Sequence, residues 1–174
     1  MSRPVARAVI AGMGLVVMAT VVLLAGARIN TSRSIPLGLY WTSGAPVQKG
    51  AYVMVCPPPI GVFIEAKKRD YIGSGFCPGG FGYMMKKILA AKTDAVLIDV
   101  DGVRVNGVLL PFSVPRIADR AGRPLPRYPV LSFTLGQDEV LLMSDVSATS
   151  WDARYYGPVR TSQIATVITP VFTW

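Results

Sequence analysis

Residues 8 to 27 read AVIAGMGLVVMATVVLLAGA, twenty consecutive positions without a charge. A helix rises about 1.5 Å per residue, so such a run spans roughly 30 Å, the thickness of a bilayer's hydrocarbon core. Arg3 and Arg7 precede it, and Arg28 and Arg33 follow it. A basic start before an apolar stretch places the N-terminus in the cytoplasm, although charge on both flanks orients the span only weakly. The run exceeds the usual signal core of about 7 to 15 residues, which favours a retained anchor. Ala25-Gly26-Ala27 meets the small-x-small rule of a cleavage site, so a removed signal is the alternative, and a buried core helix is the blandest reading. Residues 1–28 are therefore read as an anchor or signal segment, and 29–174 as one domain of a length that suits a single core.

Everything after the run then lies outside the cytoplasm, and cysteine usage agrees. The two cysteines, Cys56 in VCPPP and Cys77 in FCPGG, stand in Pro/Gly-rich loop sequence that suits a disulfide in an oxidising compartment. Two unpaired thiols are the alternative reading. A metal site is not expected, because two thiolates and no histidine leave zinc short of four ligands. The net charge of +8 raises the question of nucleic acid, but the basic residues are scattered and no reader motif accompanies them. Attraction to an anionic membrane surface explains that charge with fewer assumptions.

Beyond the span the pattern predicts a mainly β domain with little further helix. AYVMVC (51–56) and DEVLLMS (138–144) read as strands, while YMMKKILA (83–90) fits strand or helix. AVLIDVDGVRVNG (95–107) reads as a hairpin turning at Asp101-Gly102, a dipeptide suited to a type I′ turn, with a second turn at Asn106-Gly107. The stretch from Pro111 to Pro129, with five prolines and several arginines, reads as an extended excursion between strands.

The chain has no histidine. That removes the Ser-His-Asp triad, the Cys-His pair and histidine-ligated metals together. A serine hydrolase on this sequence needs a lysine base, and a lysine serves only where an apolar site strips water from its ammonium and lowers its pKa. Most lysines here keep polar company, as in EAKKRD. Lys86 and Lys87 are flanked by Tyr83-Met84-Met85 and Ile88-Leu89-Ala90-Ala91. In a strand these two lysines face opposite sides, and either one can be the buried partner.

A serine in S-x-S-x-P just after a membrane span, a lysine in an apolar strand and a downstream Asp-x-Arg resemble, in that order, the motifs of signal peptidase I. NTSRSIPLGLYW (30–41) is closest to the family's conjugative-transfer branch, the TraF-type pilin-maturation proteases. The resemblance implies a signal-peptidase-like antiparallel β domain behind one N-terminal transmembrane or signal helix. It puts Ser34 on the nucleophile and Lys86 on the base. Ser32, with the Ser34 backbone N–H, takes the oxyanion hole. SDVSATSWDARYYG (144–157) puts Asp145, Ser150, Asp152 and Arg154 on matching positions, with Ser150 bonding the lysine amine and Asp152 paired with Arg154. The segment departs from the family pattern at Ser144, Val146 and Ala153, and Ala91-Lys92-Thr93 replaces its Leu-Pro-Gly-type turn, which alters loop geometry more than chemistry. No cofactor is implied. The implied partners are a pilin precursor polypeptide and a bacterial inner membrane, with the domain in the periplasm and no direct nucleic-acid contact. A non-enzymatic envelope assembly factor and a general signal peptidase are the competing readings.

Overall fold

The computed structural model describes residues 3–174. The apolar run forms helix α1 (Arg3–Leu24), whose described side chains are exposed and whose mean hydropathy reaches 2.2 over an 18-residue window. Among the described residues it is the one helix long and apolar enough to cross a membrane. It stops three residues short of the end of the run. Arg28 folds back and donates to the Leu23 and Ala27 carbonyls, satisfying an acceptor at the helix end.

Strand β1 (Ala27–Asn30) follows after two residues and pairs antiparallel with β2 (Gly38–Ser43). Next come β3 (Tyr52–Val55), α2 (Gly61–Lys68), β4 (Ser74–Cys77), β5 (Met84–Ala90), β6 (Ala95–Asp99), β7 (Gly102–Val105), β8 (Val108–Leu109), β9 (Leu131–Thr134), β10 (Glu139–Met143), α3 (Ala153–Tyr156), β11 (Val159–Arg160) and β12 (Ile164–Thr173). One seven-stranded sheet runs β1-β2-β12-β3-β5-β10-β11, a four-stranded sheet runs β8-β7-β6-β9, and the pairings are antiparallel. The fold is mainly β, as the sequence pattern predicts.

Strand periodicity sorts the side chains. On β3, Val53 and Val55 enter the main core while Met54 turns to a smaller cluster with Ile35, Tyr40 and Ile168. On β5 the buried positions are Met84, Lys86, Ile88 and Ala90, alternating with half-buried Met85, Lys87 and Leu89. The strand-or-helix ambiguity of residues 83–90 therefore resolves to strand, and the alternation puts Lys86 on the inner face.

Three details differ from or sharpen the sequence reading. The first hairpin turn falls at Val100-Asp101, one residue earlier than expected, because Asp99 Oδ1 accepts from the Asp101 and Gly102 N–H groups and Gly102 already pairs with Asp99. The second turn is at Asn106-Gly107, both with positive φ (51° and 82°), as a type I′ turn demands. Helix α2 emerges within a segment that shows little periodicity, packing Phe63 and Ala66 into the core, and Cys56 and Cys77 are joined by a disulfide that fastens the α2–β4 segment to the end of β3.

Candidate active site

Ser34 lies in the loop between β1 and β2. Its Oγ is 2.8 Å from Lys86 Nζ, and Ser150 Oγ is 2.7 Å from the same nitrogen. Ser150 Oγ is also 3.3 Å from Ser34 Oγ, so the three groups form a closed triangle. Lys86 is only 3% exposed, beside Met84 and Ile88 on the inner face of β5. Burial pulls its ammonium down from 10.5 to about 8; the Asp152 charge works against that shift and the Arg154 charge works with it. Lys87, on the opposite face, meets Asp145 at 2.6 Å and lies over the Tyr52 ring. Burial alone would lower it, but the Asp145 hydrogen bond and charge outweigh burial and leave it raised. The two neighbouring lysines are thus separated by strand alternation into one group readily made neutral and one held charged.

Asp152 and Arg154 are fully buried and joined by two bonds, Nε to Oδ1 at 2.7 Å and Nη2 to Oδ2 at 2.9 Å. The same guanidinium donates to the carbonyls of Ser150, Ala148, Phe112 and Val114. One buried cation therefore ties the segment carrying Ser150 to the start of the 111–129 excursion, and Asp152, which also caps α3, keeps that cation compensated. Ser32 is exposed on the loop ahead of Ser34, and its hydroxyl donates to Asn30 Oδ1 at 2.9 Å.

These groups open into a groove of about 560 Å³, walled by Met84, Met85, Trp151 and Tyr155 and by the excursion from Arg116 to Leu125. Asp119 pins that excursion: it accepts from the Tyr71 hydroxyl, from Arg123 Nε and from two backbone N–H groups of its own turn. Arg33, Arg116 and Arg120 also line the groove and have no ion-pair partner among the described residues.

The model of the family described as signal peptidase, peptidase S26, matches residues 2–174. The chain belongs to the S26 signal peptidase family. Membership makes it a serine peptidase whose substrates are polypeptides. This S26 peptidase is 64% identical over 174 residues to a plasmid transfer protein TraF of Escherichia coli, covering 100% of this chain and 98% of that one. It is 63% identical over 165 residues to a second Escherichia coli plasmid transfer protein TraF, covering 95% and 93% of the two chains. A conjugal transfer protein TraF of Agrobacterium fabrum is 35% identical over 154 residues, covering 87% and 85%. A signal peptidase I structure from Enterococcus faecalis aligns with a TM-score of 0.40 and 16% identity over 73% of this chain and 100% of that chain.

Of the candidate residues read from the sequence of this S26 peptidase, Ser32, Ser34, Lys86 and Ser150 line the groove and Asp152 and Arg154 lie buried behind Ser150, whereas Asp145 pairs with Lys87 on the opposite face of β5 and the Cys56–Cys77 disulfide lies outside the groove lining. One residue was not among them. Asn30 is 2% exposed and accepts from the Ser32 N–H and hydroxyl while donating to the Ser32, Ile35 and Pro36 carbonyls. Its signal was present in the sequence: an asparagine two residues before a serine, between a strand and a proline, is an Asx-turn former.

Proposed function

We propose that this S26 peptidase is a membrane-associated endopeptidase in which Ser34 is the nucleophile and Lys86 the base, and that it matures a pilin precursor for conjugative plasmid transfer. The observation that carries the mechanism is the buried Lys86 amine lying 2.8 Å from Ser34 Oγ. In the neutral amine, one N–H donates to Ser150 Oγ, and the lone pair accepts the Ser34 proton as Oγ attacks the scissile carbonyl. The Ser34 N–H and the Ser32 hydroxyl meet the developing oxyanion. Protonated Lys86 then gives its proton to the leaving amine, and an ester to Ser34 remains. Lys86 next removes a proton from whichever nucleophile enters: water yields a cut peptide, and the substrate's own N-terminal amine yields a ring lighter by one water.

The pilin reading rests on the TraF relatives and on the resemblance of residues 30–41. The placement, with α1 in the inner membrane and residues 29–174 as the catalytic domain in the periplasm, is supported by the apolarity of α1 and by the disulfide. The test is intact mass of a pilin precursor incubated with the full-length chain. Ser34→Ala and Lys86→Met should abolish processing with the fold intact, and Lys87→Met should retain substantial activity. Processing by Ser34→Ala would sink the mechanism, and a dead Lys87→Met beside an active Lys86→Met would reassign the base.

A further inference from the structure

The loop from Thr31 to Leu37 carries both serines of the proposed site but has no strand or helix hydrogen bonding of its own. Three of its carbonyls and one of its N–H groups are instead gathered by one side chain. Asn30, the last residue of β1, is buried, and its amide is fully used. Oδ1 accepts from the Ser32 N–H at 3.0 Å and from the Ser32 hydroxyl at 2.9 Å. Nδ2 lies 2.8 Å from the Ser32 carbonyl, 3.0 Å from that of Ile35 and 2.9 Å from that of Pro36. These contacts bracket Ser34 on both sides along the chain. A few tenths of an ångström at any of them moves Ser34 Oγ relative to Lys86 Nζ, because Lys86 is fixed independently on β5 between Met84 and Ile88.

We infer that Asn30 is the positioning residue of this active site, holding the nucleophile loop at the base and setting the direction of the Ser32 hydroxyl. The inference rests on the Ser34/Lys86 reading. The chemistry it requires is that of a primary amide: an acceptor for the Ser32 groups and two N–H donors, one of them shared, for three carbonyls that no other side chain serves together. The Tyr40 hydroxyl also donates to the Pro36 carbonyl, at 2.7 Å, but it touches neither Ser32 nor Ile35. A carboxylate of the same shape would keep the acceptor, offer no donor, and face three carbonyl oxygens with its own lone pairs. The Ser32 hydroxyl has a single hydrogen, which Asn30 Oδ1 receives here. For Ser32 to serve an oxyanion, that hydrogen swings from Asn30 to the substrate, and Asn30 supplies the resting position from which it swings.

The test uses full-length protein in detergent and single-turnover processing of the pilin precursor over a range of enzyme concentrations, comparing wild type, Ser34→Ala, Asn30→Asp, Asn30→Ala and Tyr40→Phe. A misplacement of about 1 Å near the reacting atoms costs about 100-fold in rate. Both Asn30 variants should therefore lose rate at saturation on that order, with the half-saturating concentration within about threefold of wild type. Tyr40→Phe, a loosening of the same loop, should lose less than about threefold. In a Ser32→Ala background Asn30→Asp should still slow the reaction, since the loop contacts to Ile35 and Pro36 remain at stake. The inference is overturned if folded Asn30 variants keep the wild-type rate, if Tyr40→Phe loses as much as they do, or if the Asn30 variants fail to fold, which would make the residue structural. If wild type and Ser34→Ala behave alike, the Ser34/Lys86 reading itself is at fault and this inference falls with it.

Discussion

Raising the pH should switch this enzyme on through one buried amine. At pH 7 a group with a pKa of about 8 is neutral in about one molecule in ten, against roughly one in three thousand at the ordinary 10.5. Burial of Lys86 among Met84, Ile88 and the serine hydroxyls thus raises the fraction of neutral amine about 300-fold, equivalent to about 3 kcal/mol. The rate of precursor processing at low substrate should climb tenfold per pH unit below about 8 and level off above it. The perturbation that isolates the cause is Asp152→Asn. The Asp152 charge raises the Lys86 pKa while burial and Arg154 lower it, so removing that charge should move the inflection to lower pH. The assay is the initial rate of processing from pH 6 to 10, read by mass, with circular dichroism at each pH to keep unfolding out of the profile. An inflection near 10.5, or a flat profile below 8, would show that Lys86 is not the titrating base. An alkaline displacement in Asp152→Asn would refute the electrostatic account.

Three further outcomes follow from the same geometry. Because the folded pKa of Lys86 lies below its unfolded value, the unfolded chain binds the extra proton between pH about 8 and 10.5; stability should rise through that window, and inactive Lys86→Met should melt above wild type at pH 7 but not near pH 10.5. Reducing Cys56–Cys77 frees a 21-residue separation, worth about 3 kcal/mol in the chain-entropy model and roughly 10 °C in Tm, measurable by thermal melts with and without reductant; an unchanged Tm would refute it. The N-terminal helix should stay attached, because the candidate cleavage bond after Ala27 lies inside β1, with Ala27 buried and paired to Trp41; a mature chain beginning at Arg28 by Edman sequencing would overturn this.

The legible parts of this molecule were those in which one physical requirement dominates. The missing histidine left lysine as the candidate base, and strand alternation then separated Lys86 from Lys87 once residues 83–90 formed a strand. Asn106-Gly107 marked its turn because two successive positive φ angles favour that pair. Asp101-Gly102 misled by one residue because the side chain of Asp99 competes for the turn with its own hydrogen bonds, a local Asx-type preference that a rule on the dipeptide alone does not weigh. Helix α2 left little trace because its eight residues bury only Phe63 and Ala66, too few positions to set a period. The many bonds of Arg154 join the segments near residues 112, 148 and 150, which lie far apart along the chain or in irregular loops where no periodicity operates.

Two residues, Ala25 and Gly26, separate α1 from β1, and Gly26 is wedged so tightly that an added Cβ would come 2.3 Å from Thr42 Oγ1. Such a joint is short and closely packed. With α1 in the bilayer, as proposed, so short a joint would keep Ser34, ten residues past the end of the helix, within a narrow range of heights above the membrane surface. The joint then acts as a ruler. On the proposed placement, peptide bonds of a membrane-borne precursor that arrive at that altitude would be tested first, so position along the membrane normal would select the cut before any side chain is read.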